Sequence, residues 1–486
     1  MASVEVELAR RRALGAWYTP HGLVEELVER TIESTWLAAH HGPIRVLDPA
    51  CGDGRFLVAA AGRLAAIGAN AELYGVDIDP EAVAAARTAV PAATIIHADA
   101  LDRPWPVASF DVVLGNPPFL SPLVAASGRD AGRRRAVGGP YTDAAAEFLL
   151  LAVDVAAPGH GRVGFVLPQS LLAARDATDV RTRVDALGAM CWSRTTDEHD
   201  FGATVATCAV IFERRDADDA QASTRGTAPT DRAATTTHWA RIAADGRGVP
   251  PLADVAADGS LGDRARATVG FRDEFYALAA AVGDDVDGPP LVTSGMIDPG
   301  RCAWGETPAR IAKRTFVRPR IELDALEPRF RRWVDDRIGP KVLVANQTAI
   351  VEAVADPDGE FVPGVPVIAV LPADSGASAV WELAAVLSSP IASQWIWRQH
   401  GGTGMSARVV RLSPALIESV PWPRGDLASA VAAVRAGEVA ECGARVLEAY
   451  GEMGTTEGAA GFTWWSDVCA RVQRRAASRR PVPDGA

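Results

Sequence analysis

The chain has 486 residues, 48% of them apolar and 23% charged, with a formal net charge of −12, an ordinary soluble globular composition with room for about two to four domains. No stretch carries eighteen uncharged apolar residues, and the N-terminus Met1-Ala-Ser-Val-Glu5 has no basic region leading into an apolar core, so neither a membrane span nor secretion is expected and the protein should be cytoplasmic. The six cysteines form no C-x-x-C pair and the eight histidines no H-E-x-x-H, so neither disulfides nor metal are expected.

The first apolar strand runs from Ile44 to Leu47. It leads into Asp48-Pro-Ala-Cys-Gly-Asp-Gly54 and then into Arg55 to Ala60, which has helical composition, giving a strand, glycine loop and helix. Gly52 and Gly54 let the backbone approach a ligand closely. Leu57 stands where the dinucleotide pattern G-x-G-x-x-G needs its third glycine, which disfavours NAD. Cys51 reads as a small packing residue of the loop. A second strand, Leu73 to Val76, ends in Asp77-Ile78-Asp79-Pro80, about 23 residues beyond Gly54, where an acidic side chain can accept both hydroxyls of a ribose. A third, Ala93 to Ile96, ends in His97-Ala98-Asp99-Ala100 and brings a further carboxylate to the C-terminal edge of the sheet, within reach of an adenine amino group. Either aspartate alone is more often a helix cap or a solvated turn residue. Three successive strand ends with fitting residue types point to a ligand site.

The apolar run Phe110 to Leu114 ends in Asn116-Pro117-Pro118-Phe119. Taken alone, these four residues also suit a turn that closes a buried strand. After a glycine loop they suit methyl transfer to a planar nitrogen. The exocyclic amine of adenine is a poor nucleophile because its lone pair is delocalised, and acceptors on its N–H bonds pull it toward tetrahedral geometry. The Asn116 side-chain oxygen and the carbonyl of Pro117 are such acceptors, Pro117 and Pro118 stiffen the turn without donating N–H, and Phe119 offers a ring for an extracted base.

In this combination the chain resembles a gamma-order, TaqI-like N6-adenine DNA methyltransferase, closely over about residues 14 to 213 and loosely over about 260 to 425. The resemblance implies an α/β, class I methyltransferase sheet, mostly parallel with one reversed strand, and a C-terminal α+β target-recognition domain. It implies S-adenosylmethionine as cofactor, held by Tyr18, Thr19 and Pro20, by Asp48, Ala50, Gly52 and Gly54, by Asp77 and Ile78, by Asp99 and Ala100, and at Asn116. Asn116, Pro117, Pro118 and Phe119 are then the catalytic motif, with Phe119 and Phe201 flanking the target base. Phe201 is equally readable as a core aromatic. Asp53 stands where the family often has Ser. Tyr141 to Val153 resembles a later helix, and Gly161 to Pro168 and Val205 to Phe212 resemble later strands.

The negative net charge does not exclude a nucleic acid, because binding depends on where the cations lie. Residues 301 to 345 carry eleven Arg or Lys against six Asp or Glu, including Lys313 and Arg314, and Arg129, Arg133, Arg134 and Arg135 form a second basic island in a Gly-rich stretch after Phe119. That island also reads as a plain solvated loop. The expected organisation is a methyltransferase domain over 1–215, a linker over 216–250, a recognition domain over 251–425 built of short strands and a helix at Ala379 to Leu387, and a helical tail over 426–486. Double-stranded DNA is the expected partner, with other subunits of a restriction-modification or phage-defence system as further candidates. A protein glutamine-N5 or an RNA N-methyltransferase using the same Asn-Pro-Pro-Phe chemistry is the alternative.

Overall fold

Strand β1 (Ile44–Asp48) is an internal strand of a seven-stranded sheet whose other strands are β2 (Ala71–Asp77), β3 (Thr94–His97), β4 (Val112–Gly115), β5 (Arg162–Pro168), β6 (Gly188–Thr195) and β7 (Thr207–Arg214). The order is β3-β2-β1-β4-β5-β7-β6. Strands β1 to β5 pair in parallel, and β7 runs antiparallel to both of its neighbours. This is the expected mostly parallel sheet with one reversed strand. The computed structural model describes residues 19–38, 40, 42–119, 144–196, 206–216, 232–252, 254–374 and 376–479.

Each central strand is apolar on both sides because helices cover both faces. On one face Val46, Val112 and Leu114 pack with residues of α1 (His21–Thr31), α3 (Arg55–Ala66) and α4 (Pro80–Ala89). A short helix, α2 (Ser34–Leu37), follows α1. On the other face Leu47, Val113 and Phe165 pack with α5 (Ala144–Val155), α6 (Thr178–Leu187) and α7 (Arg232–Gly246). Neighbouring residues of β1 and β4 thus alternate between the two cores, as the pleat requires. Helix α4 starts on a complete cap: the Asp79 carboxylate accepts the Glu81 N–H at 3.0 Å and Pro80 occupies the first helical position.

The chain forms two compact units, Met1–Gly246 and Arg247–Ala486. Of the expected linker over 216–250, residues 217–231 lie outside the described residues, and residues 232–250 are shared between the two units. Helix α7 belongs to the first unit because Trp239 is fully buried, stacks on Phe212 at 5.2 Å and donates its indole N–H to Asp185 at 2.9 Å. Residues 247–250 belong to the second unit, where the Pro250 carbonyl accepts from the Arg398 guanidinium at 3.2 Å. The second unit is α+β. Its largest sheet is antiparallel, in the spatial order Ala353–Asp356, Lys341–Val344, Ile368–Pro372, Ala265–Val269. The expected helix appears as Ala377–Leu387, and among the short strands Leu291–Val292 is followed by a 3₁₀ turn. The tail is not separate from this unit: Trp465 of Thr456–Arg479 packs beside Ile350 and Val439. Among the described residues no helix is long and apolar enough to cross a membrane.

Replacing Trp239 with Ala removes a fully buried ring and leaves the Asp185 carboxylate without its indole donor. The expected loss is about 3–5 kcal/mol of unfolding free energy, read by chemical denaturation; a change below about 1 kcal/mol would detach α7 from the first unit.

Candidate functional site

Strand order reverses direction between β1 and β4, since β2 and β3 extend the sheet on one side of β1 and β4 and β5 on the other. Loops leaving the carboxyl ends of such neighbours diverge and open a crevice where ligands bind. Here those two loops are the glycine loop and Asn116-Pro117-Pro118-Phe119.

Asp48, at the end of β1, has no exposed surface. Its Oδ1 accepts the Ala50 N–H at 3.0 Å, and its Oδ2 is buried with no hydrogen-bond partner among the described residues. Burial raises the Asp48 pKa well above its ordinary 3.8; the Ala50 hydrogen bond opposes this, and the charges of Asp77 and Asp53 add to it. Gly115, the last residue of β4, lies directly beside it. A Cβ at Gly115 would sit 2.8 Å from Asp48 Oδ1, so a side chain at the strand end that leads into Asn116 would have to push the Asp48 carboxylate aside.

Asp77 ties the glycine loop to the turn that follows β2. Its Oδ2 accepts the Gly52 N–H at 2.8 Å and its Oδ1 the Asp79 N–H at 2.9 Å, and each oxygen retains a second lone pair for a ligand hydroxyl. Burial raises its pKa, against the two backbone hydrogen bonds. Gly52 and Gly54 hold φ of 52° and 85°, a left-handed backbone that glycine adopts without strain. Next to Asp77, Ile78 is 53% exposed. Asp99 is half-buried, with Oδ1 accepting the Leu101 N–H at 2.9 Å. The Ala100 side chain is buried in the sheet core with Leu47 and Val76. Cys51 is buried, and burial followed by the charges of Asp48 and Asp77 pushes its thiol far up, so it stays protonated and inert.

Arg55, to which no role was assigned from the sequence, fastens the loop. Its guanidinium donates to Asp53 at 3.0 and 2.7 Å and to the Thr19 carbonyl at 2.5 Å, joining the glycine loop to the segment Thr19-Pro20 that enters α1. Burial alone would raise the Asp53 carboxyl, but the hydrogen bonds and charge of Arg55 outweigh it and hold it below its ordinary value. The departure at Asp53 thus comes with its own cation two residues on, and that local Asp-x-Arg spacing was the signal available in the sequence. Thr19 itself is buried.

Pro117 is buried, Asn116 and Pro118 are half-buried, and the half-buried Phe119 ring packs against both hydrophobic cores. Tyr18, Phe201, Arg129, Arg133, Arg134 and Arg135 lie outside the described residues. Lys313 and Arg314 lie in the second unit, exposed at the hairpin between Ala309–Ile311 and Arg314–Phe316. Of the other cations in the basic stretch 301–345, Lys341 is fully buried against Asp356 at 2.5 Å, and Arg331 pairs at the surface with Asp324 and Asp335.

The crevice fits S-adenosylmethionine. The buried, unpartnered Oδ2 of Asp48 calls for a cationic donor, which the methionine ammonium supplies, Asp77 keeps lone pairs for two hydroxyls, and exposed Ile78 gives an apolar wall for a purine.

The family model for N-6 DNA Methylase matches residues 7–222. The Type II methyltransferase M.XamI of Xanthomonas campestris pv. amaranthicola is 34% identical over 113 residues, which is 22% of this chain and only 20% of that protein. The type I restriction-modification system methyltransferase subunit from Streptococcus thermophilus is 19% identical, with a TM-score of 0.33 over 41% of this chain and 45% of that one. The type IIG restriction endonuclease BpuSI is 11% identical, with a TM-score of 0.38 over 93% of this chain and 66% of that one.

A raised carboxyl pKa means that the folded protein favours the proton more than the unfolded chain does, so stability falls as pH climbs from 3.8 toward the folded value. Asp48→Asn removes this dependence. It should raise the denaturation midpoint at neutral pH, with the advantage shrinking as pH falls toward 3.8, and should weaken S-adenosylmethionine binding by about 1–3 kcal/mol. Denaturation at several pH values together with calorimetry checks both; equal affinity would remove Asp48 from the cofactor site.

Proposed function

We propose, from the match of the N-6 DNA Methylase family model to residues 7–222, that this protein methylates N6 of an adenine extruded from double-stranded DNA. Its cofactor is S-adenosylmethionine, which supplies an electrophilic methyl group. The observation that carries the reading is the placement of Asn116-Pro117-Pro118-Phe119 at the carboxyl end of β4, across the reversal in strand order from the glycine loop.

The tasks left to the chain are binding, orientation and nitrogen geometry. Asp77 accepts the ribose hydroxyls, Asp99 the adenine amino group of the cofactor, and Asp48 the ammonium. Asn116 and the Pro117 carbonyl accept the two N–H bonds of the target amine and favour its pyramidal form. Most of the acceleration is orientation, because an in-line displacement needs the two reacting atoms held in near-attack geometry. Extruding the base costs a few kcal/mol, offset by these hydrogen bonds and by stacking on Phe119 once its ring leaves the packing it makes with the core. Lys313 and Arg314 on the exposed hairpin contact phosphate, and the second unit reads base edges. Similarity to the Type II methyltransferase M.XamI supports the methyl-transfer reading, and the proposed setting is a restriction-modification or phage-defence system.

Asn116→Ala should abolish methyl transfer and leave S-adenosylmethionine affinity nearly intact, because the lost acceptor acts mainly as the amine pyramidalises. Single-turnover kinetics beside calorimetry separates the two, and activity within about threefold of wild type would refute the role of Asn116. Expressed in a methylation-free bacterium together with its neighbouring genes, the wild type should place N6-methyladenine at one short motif. Methylome sequencing that shows 4-methylcytosine, scattered methylation or methylated RNA would refute the substrate.

A further inference from the structure

Parallel strands collect ligands at one edge, but they also gather whatever residues precede them at the other. His40, Asp111 and His160 stand just ahead of β1, β4 and β5, which are neighbours in the sheet. One nitrogen of each histidine and one carboxylate oxygen all lie within 4.8 Å of one another. We propose that these three side chains form a binding site for a divalent transition-metal ion of the zinc type, with water as the fourth ligand.

The chemistry of each donor supports this. His40 Nδ1 lies 3.0 Å from the Trp36 carbonyl. A carbonyl only accepts, so Nδ1 carries the proton, and the lone pair of the neutral ring is on Nε2. That Nε2 is buried and has no hydrogen-bond partner among the described residues. Metal-binding histidines characteristically anchor their second nitrogen on a backbone carbonyl in this way. Asp111 is oriented likewise: Oδ2 accepts the Arg45 N–H at 2.8 Å, which leaves Oδ1 facing His160 Nε2 at 3.1 Å. The His160 backbone is fixed by the Trp36 indole, which donates to its carbonyl at 2.8 Å, and the Trp36 ring also stacks on His40 at 4.0 Å.

Two imidazoles and a carboxylate are a donor set of zinc, and oxygen-loving magnesium or calcium would not choose it. Metal–ligand distances of about 2.0–2.2 Å place tetrahedral ligand atoms roughly 3.3–3.6 Å apart. The Asp111–His160 pair, at 3.1 Å, is close to that spacing, and His160, the exposed member, can change rotamer to adjust it. On metal binding the proton that Nε2 shares with Asp111 moves to Nδ1 of the same ring. The site is remote from the crevice, because the four residues of β4 separate Asp111 from Asn116 and span roughly 13 Å. Its role is therefore structural, clamping the segment after α2 onto the base of the sheet.

The full chain, stripped with a chelator, should bind one equivalent of Zn²⁺ by calorimetry and give the visible absorption of four-coordinate Co²⁺. Added Zn²⁺ should raise its melting temperature. His160→Gln, at an exposed position and expected to fold, and His40→Ala should each weaken Zn²⁺ binding about tenfold or more, while S-adenosylmethionine affinity stays unchanged. Absence of stoichiometric binding by the wild type, or binding equal to wild type in the His40→Ala/His160→Gln double variant with an unaltered circular dichroism spectrum, would overturn the site.

Discussion

Parallel hydrogen bonding from β3 through β5 is the constraint on which the first unit depends. Five successive strands of one polarity must deliver all their carboxyl ends to one edge, and the residues that follow them arrive there whatever their separation in the chain. Asp48, Asp77, Asp99 and Asn116 share an edge for this reason. The same polarity sends His40, Asp111 and His160 to the opposite edge, in segments that no local pattern connects.

Electrostatics then makes that carboxyl edge costly without a ligand. Asp48 is buried with one oxygen unpartnered, and Asp77 and Asp53 stand close enough to raise its pKa further. Burying a carboxylate in this way stabilises nothing by itself. The cost is the kind found where a cationic group is to be bound, and it is tolerated because Gly115 leaves just enough room beside the carboxylate. Arg55 offsets part of the local negative charge by engaging Asp53, while its donation to the Thr19 carbonyl ties the loop to the start of α1.

The second unit is built on a different balance. Its strands are short, several paired only over two residues, and the largest sheet carries a fully buried ion pair, Lys341 with Asp356. Burial pulls the lysine pKa down, while the charge and hydrogen bond of Asp356 pull it up, and burial prevails. Asp356 also accepts the N–H groups of Glu360 and Phe361 at 3.0 and 3.1 Å. The pair therefore fixes the turn at Asp356 to Gly359, and Lys341 is not free to touch a phosphate although it belongs to the most basic stretch of the chain.

Sequence alone determined the elements whose signal is local. Strands β1, β2 and β3 begin and end within about two residues of the apolar runs that announce them, and the glycine loop and Asn116 motif sit at the strand ends where punctuation placed them. The left-handed Gly52 and Gly54, the Asp79 cap of α4 and the Asn-Pro-Pro-Phe chemistry are properties of a few adjacent residues. Tertiary structure decided the rest. Helix α7 is rich in Ala and Thr and reads as a linker until Phe212 and Asp185 receive Trp239. The edge strand β6 alternates exposed with half-buried residues and offers little apolar run to detect. The Gly115–Asp48 contact, the Arg55–Thr19 bond and the cluster of His40, Asp111 and His160 join positions 36 to 120 residues apart. Such contacts have no spacing to read, because only the pairing of strands brings their residues together.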